Sequence, residues 1–171
     1  MEDERKMLRT CAFVGNAAID DDDEDRIGDA VSGAIELAYS SGCRTFIFGD
    51  AVGFSAVAAL RAIYHRADAP ECRLNMLLPC RKRAEKLDDS DEDMYEYLLG
   101  SADEVEYVCE EYVESCVRDH RRRLVDSADM LIGYVPDESD KDWQTLRAAT
   151  DEGKSVRNLF ELRPGKTEKT E

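Results

Sequence analysis

Short apolar runs rich in β-branched and aromatic residues alternate along the chain with longer segments whose apolar positions recur every three or four residues. TCAFVG (10–15) predicts a first strand. DDDEDRIGDAVSGAIELAYSSG (21–42) follows, with Ile27, Val31, Ile35 and Ala38 at helical spacing. Its acidic start suits the positive end of a helix, and Gly42 suits the carboxyl cap. RTFIFG (44–49) predicts a second strand and 54–67 a helix. CRLNMLLP (72–79) predicts a third strand stopped by Pro79, and the polar stretch 81–101 a helix. EVEYV (104–108), a helix over 113–128, DMLIGYV (129–135), a helix over 140–154 closed by Gly153, and SVRNLFEL (155–162) complete the series.

About six strand–helix alternations predict an α/β, Rossmann-like, doubly wound and mostly parallel sheet with helices on both faces. The expected organisation is a flexible stretch 1–9, one domain over 10–162 and a disordered polar tail 163–171. Such folds bind ligands beyond the carboxyl ends of the strands, where the strand order reverses. Function is therefore expected just after strands one, two and five, at Gly15–Ala18, Gly49–Ser55 and Val135–Trp143.

Composition narrows the partners. The chain has 171 residues and a net charge of -16, from 23 basic and 39 acidic side chains. That balance opposes phosphate backbones and anionic membrane surfaces, so neither nucleic acid nor membrane is expected as a partner. Six cysteines at 11, 43, 72, 80, 109 and 116 form no CxxC pair. They read as free thiols, four of them in or beside apolar runs, with no metal site expected. The amino terminus is charged and no apolar run approaches the ~20 residues of a membrane span, which points to a cytoplasmic protein.

FIFGDAVGFSAVAALRAI (46–63) has the strand–turn–helix plan of a phosphate site, with Gly49 and Gly53 allowing close backbone approach. Asp50 stands in that turn, where a phosphate wants donors. CRKRAEK (80–86) and HRRRL (120–124) carry the local positive charge, and Arg118, Arg121 and Arg122 share roughly one helix face. They read as solvated charges paired with neighbouring acids or as a rebuilt anion pocket. Other groups carry less. Asp20–Asp25 lacks the spacing of a calcium loop. Ser55 and His65 lie about 15 Å apart by helical rise, too far for nucleophile and base. Asp126 suits a ribose hydroxyl or a helix end, and Trp143 suits a base stack or packing.

The segments TCAFVGNAA, FIFGDAVGFSAVAALRAI, LNMLLPCRKRAEKL, ADEVEYVCEEYVESCVRDHRRRLVDSADMLIGYV and EGKSVRNLFEL occur in an order that resembles the YpsA-like branch of the SLOG superfamily. These are Rossmann-like relatives of DprA and of the LOG nucleotide hydrolases, and the resemblance covers about 10–160. It implies a domain that binds a nucleotide-derived ligand and assigns it no reaction, and the expectation is binding or sensing of a small molecule such as ADP-ribose or NAD without turnover. The residues expected to bind are Gly15, Gly49 and Gly53 for backbone access, Asn16, Ser55 and Thr145 for neutral hydrogen bonds, and Arg121 for charge. Self-association of related domains makes a homodimer plausible.

The chain departs from the branch at its ligand motifs. Asn16 and Ala17 replace His and Arg, Ser55 replaces Asp, and His120-Arg121 stands for Arg-Asn. Asp140, Lys141 and Asp142 replace Gly-Gly-Thr. The branch varies at Asp50, whose side chain is free to point away. A carboxylate ~5 Å from a phosphate charge costs about 3 kcal/mol at an effective dielectric near 20. These losses support an alternative, a degenerate module that keeps the fold and acts through protein partners. A nucleoside-phosphate hydrolase is a third reading, weakened because the PGGxGTxxE motif of the LOG branch is missing.

Overall fold

The computed structural model describes residues 9–111 and 113–162, and the expectations for 1–8 and 163–171 lie outside them. The elements are β1 (Thr10–Val14), α1 (Asp21–Ser40), β2 (Thr45–Phe48), α2 (Gly53–Arg66), β3 (Arg73–Cys80), α3 (Asp89–Ser101), β4 (Glu104–Cys109), α4 (Glu114–Ser127), β5 (Met130–Gly133), α5 (Lys141–Asp151) and β6 (Ser155–Asn158). The six strands form one sheet in the order β4-β3-β2-β1-β5-β6, and every pairing is parallel.

Alternate side chains of each central strand serve opposite faces. Cys11 and Phe13 of β1 join Phe46, Phe48, Met76 and Ile132 in a core covered by α1, α2 and α3. Ala12 and Val14 join Ile47, Leu77 and Leu131 under α4 and α5. Phe13 stacks on Phe48 with ring centroids 5.3 Å apart, and each fully buried ring contributes about 1.5–3 kcal/mol. The sheet is thus doubly wound, as the alternation predicts.

Three boundaries differ from the sequence reading. β3 runs through Pro79 to Cys80. Its pairing with β2 ends at Phe48↔Met76, so beyond that point Pro79 has only β4 as a neighbour and its missing N–H interrupts no β2 ladder. Residues 81–101 are not one helix. A 3-10 turn (Arg81–Lys86) precedes α3, which restarts where Asp88 accepts the Asp91 amide. The final strand stops at Asn158, and a 3-10 turn places Leu159 and Phe160 in the core, with Phe160 edge-on to Tyr134.

The backbone of Arg9 is tied in as well, because Asp129 accepts both the Arg9 and Thr10 amides. The five buried cysteines and the half-buried Cys109 are free thiols. No helix among the described residues is long and apolar enough to cross a membrane.

Candidate functional site

The strand order reverses between β1 and β5, because α1–α3 cover one face and α4–α5 the other. At that point the chain leaves β1 through Gly15, whose φ is +115°. A Cβ on Gly15 would lie 3.6 Å from a carboxylate oxygen of Asp142, in the first turn of α5. That carboxylate accepts the backbone N–H of Asn16. Asp142 therefore occupies the position at a β1 loop amide where a Rossmann fold places phosphate. Burial pushes its pKa from 3.8 up to about 6, Asp140 and Asp50 add to the rise, and Lys141 opposes it.

Asp50 points inward rather than away. It is buried and accepts the Ala51 amide at 2.7 Å and the Asn16 side-chain amide at 3.1 Å. Asn16 thus bridges two carboxylates, by its side chain to Asp50 and its backbone to Asp142. Asp140 caps α5 by accepting the Asp142 amide.

The β2–α2 turn is closed from the same side. The Phe54 amide donates to the Ala17 carbonyl at 2.9 Å. Ser55 is fully buried and its hydroxyl donates to the Gly15 carbonyl. Gly53 has φ +59°, and a Cβ there would meet the Asn16 carbonyl oxygen at 2.3 Å. The β1 loop carbonyls and the Asp142 carboxylate thus engage donors that a phosphate would use, and the cradle is occupied by the chain itself. Ser55→Ala is expected to leave the Gly15 carbonyl unpaired and to cost about 1–3 kcal/mol, measured by urea denaturation.

Gly15, Asn16, Gly49, Arg121 and Thr145 line one cavity, together with Asp50, His120, Lys141 and Asp142. Gly53 and Ser55 do not line it; they hold the β1 loop from behind. The cavity holds about 40 Å³, enough for a water or a hydroxyl group and smaller than a nucleoside. His120 sits in it with one ring nitrogen 2.8 Å from the Leu77 carbonyl oxygen. Burial lowers the His120 pKa below its ordinary value, and Lys141 lowers it further, against the Leu77 and Gly49 backbone bonds and Asp50.

Sequence reasoning missed His120, Asp50, Lys141 and Asp142 as cavity residues, although the switch-point rule places Lys141 and Asp142 beside Gly15. The expected arginine face divides. Arg121 is half-buried in the cavity, whereas Arg122 is exposed and bonded to Asp126 at 2.7 Å and Glu152 at 2.6 Å. Asp126 is therefore engaged at the surface. Within that basic stretch, Arg81 pairs with Glu110 and Lys82 with Glu111. Among the described residues no group of three or more His, Cys, Asp or Glu is arranged to hold a metal ion.

The fold has solved relatives. DNA processing protein A (DprA) from Streptococcus pneumoniae superposes with a TM-score of 0.59 at 12% identity, over 87% of this chain and 49% of that one. DNA processing protein A from Helicobacter pylori, whose structure is described for its single-stranded DNA binding mode, superposes with a TM-score of 0.57 at 15% identity, over 86% of this chain and 63% of that one. The chain therefore spans about half to two thirds of these proteins, and at such identities the likeness establishes the fold.

This corrects the expectation that nucleic acid is no partner. A protein of this fold is described as binding single-stranded DNA, and net charge opposes such binding only on average, because strand binding depends on a local surface. The comparisons also give no support to a nucleotide-derived small molecule as the partner. No curated protein matches the chain. The model of the YspA SLOG family matches residues 18–159, which includes the β2–α2 turn, α4 and the first turn of α5, and the chain belongs to that family.

Proposed function

We propose that the switch-point cavity recognises a nucleotide-derived ligand through the hydroxyl groups of its sugar rather than through phosphate. The observation that carries this reading is the Asp142 carboxylate bonded to the Asn16 amide beside the buried Asp50. An incoming phosphate meets like charge there. A sugar hydroxyl instead finds acceptors, since each ionised carboxylate offers about four lone-pair sites. The cavity, which Val117 and Arg121 help to line, admits the hydroxyl edge of a sugar and leaves the rest of the ligand outside. The same unit is supplied free or at the end of a single strand. The role is recognition without turnover. A reducing, cytoplasmic setting fits the six free cysteines.

Calorimetric titration at pH 7.5 with adenosine, AMP, ADP-ribose, NAD and a short oligodeoxythymidylate tests the reading. Adenosine is expected to bind more tightly than AMP, and Asp142→Asn to reverse that order by removing the like charge. AMP binding about tenfold tighter than adenosine to the unaltered protein, or no heat with any ligand, overturns it. Binding of the oligonucleotide alone overturns it too and assigns the surface to a strand.

A further inference from the structure

A second concave surface lies on the other side of the β1 loop, over α2. A cavity of about 650 Å³ runs along α2 from Val52 to Tyr64 and is walled by the start of α1 and by α3. A cavity of about 430 Å³ continues it, sharing Leu60, Tyr64, Ser90 and Met94 and ending at Tyr97. Together they form one groove about 17 Å long by the helical rise of α2. Its apolar surface includes Ile19, Val52, Val57, Leu60 and Met94, all half-buried. Tyr64 and Tyr97, 62% and 52% exposed, are among the few large apolar side chains that the described residues leave in solvent.

The rim is acidic. Asp21, Glu24 and Asp25 border it from α1, and Asp91 and Asp93 from α3. Arg61 is the one basic side chain lining it among the described residues, and its guanidinium is engaged by Asp29 at 3.1 Å and Ser32 at 3.2 Å. A second copy of this chain would bring an equally acidic rim against this one, which disfavours self-association here.

We infer that this groove is a docking site for a basic amphipathic helix of another protein. An apolar stripe at i, i+3, i+4 and i+7 would lie on Leu60, Met94 and the two tyrosines, with flanking Lys and Arg meeting the acidic rim. The groove accommodates about three turns of such a helix. The surface shares only Asn16 with the switch-point cavity, so this inference stands independently of the ligand proposed there.

The test uses the full chain, isotopically labelled for NMR, and a synthetic Leu/Lys helix of about 14 residues with that stripe. Controls are the same composition scrambled to destroy the stripe and a Leu/Glu helix of the same pattern. The patterned basic helix is expected to shift the resonances of Leu60, Tyr64, Met94 and Tyr97. It is expected to bind about tenfold or more tightly than the scrambled peptide, and the Leu/Glu helix not to bind. The double variant Tyr64→Ser, Tyr97→Ser alters two exposed positions and is expected to lose about tenfold in affinity with unchanged melting. Equal affinity for the scrambled peptide, or undiminished binding by the double variant, overturns the inference, because either reduces the interaction to non-specific charge.

Discussion

Gly53→Val is expected to remove about 3–5 kcal/mol of folding stability, a large share of the roughly 5–15 kcal/mol typical of a domain. Two causes act together. The residue has φ +59°, a region that costs a side chain about 1–2 kcal/mol before any contact is considered. Its new Cβ would also stand 2.3 Å from the Asn16 carbonyl oxygen and 2.6 Å from that of Ala17. Both atoms are backbone, so relief requires the whole β1 loop to move. That movement breaks the Phe54–Ala17 bond and pulls the Gly15 carbonyl off Ser55. Urea denaturation measures the loss. Gly100→Ala is the control, since nothing lies within 4 Å of a Cβ there and the position is helical, and it is expected to be neutral or slightly stabilising. A Gly53→Val midpoint equal to that of the unaltered protein sinks the argument. Gly53 thus anchors the loop, and its substitution cannot separate ligand binding from folding.

Asp142→Asn is expected to stabilise the protein at neutral pH and to do nothing in acid. The folded carboxyl titrates at about 6 against an ordinary 3.8. Between those values the folded state holds a proton that the unfolded state has released, so stability falls as pH rises through this window. Above the window the ionised Asp142 costs up to about 3 kcal/mol, the equivalent of that difference. Asparagine keeps an acceptor for the Asn16 amide and removes the charge beside Asp50 and Asp140. A gain of about 1–3 kcal/mol at pH 7.5 that vanishes near pH 4 is the expected result. A pH-independent gain, or none, would place the cause outside this carboxylate. Unfolding curves of both proteins from pH 4 to 8 decide it.

The architecture was legible because the information for it is local. Runs such as CAFV and FIF state their own burial, and the Ile27–Val31–Ile35 spacing states the face that α1 turns inward. Ends were less legible where local signals are weak or mixed. Within 81–101 the helical apolar period is confined to Met94, Tyr95, Leu98 and Leu99, so the break between the 3-10 turn and α3 rests on the Asp88 cap. Pro79 reads as a strand stop, yet its place beyond the β2 pairing makes it harmless.

The site was only half legible for a different reason. Gly15, Asn16, Gly49, Arg121 and Thr145 lie in segments with recognisable motifs or at strand ends. Asp50, His120 and Asp142 come together only because β5 crosses to the far side of β1. No spacing along the chain records that Asp142 will reach over Gly15. Its charge read as an obstacle to a ligand, whereas in the fold it is a bonded component of the loop.

The filling of the β1 cradle by Asp142 has a consequence for how this site can diversify. The loop and the group that occupies it belong to separate elements. The loop is locked from α2, by the close approach of Gly53, the Phe54 amide on Ala17 and the Ser55 hydroxyl on Gly15, whereas Asp142 reaches it from α5. What the cradle accepts is therefore set by the first turn of α5, a few positions whose replacement leaves the lock intact. On the proposed reading, a change there from carboxylate to amide, hydroxyl or glycine alters the ligand chemistry while the bonds from α2 to the loop remain available.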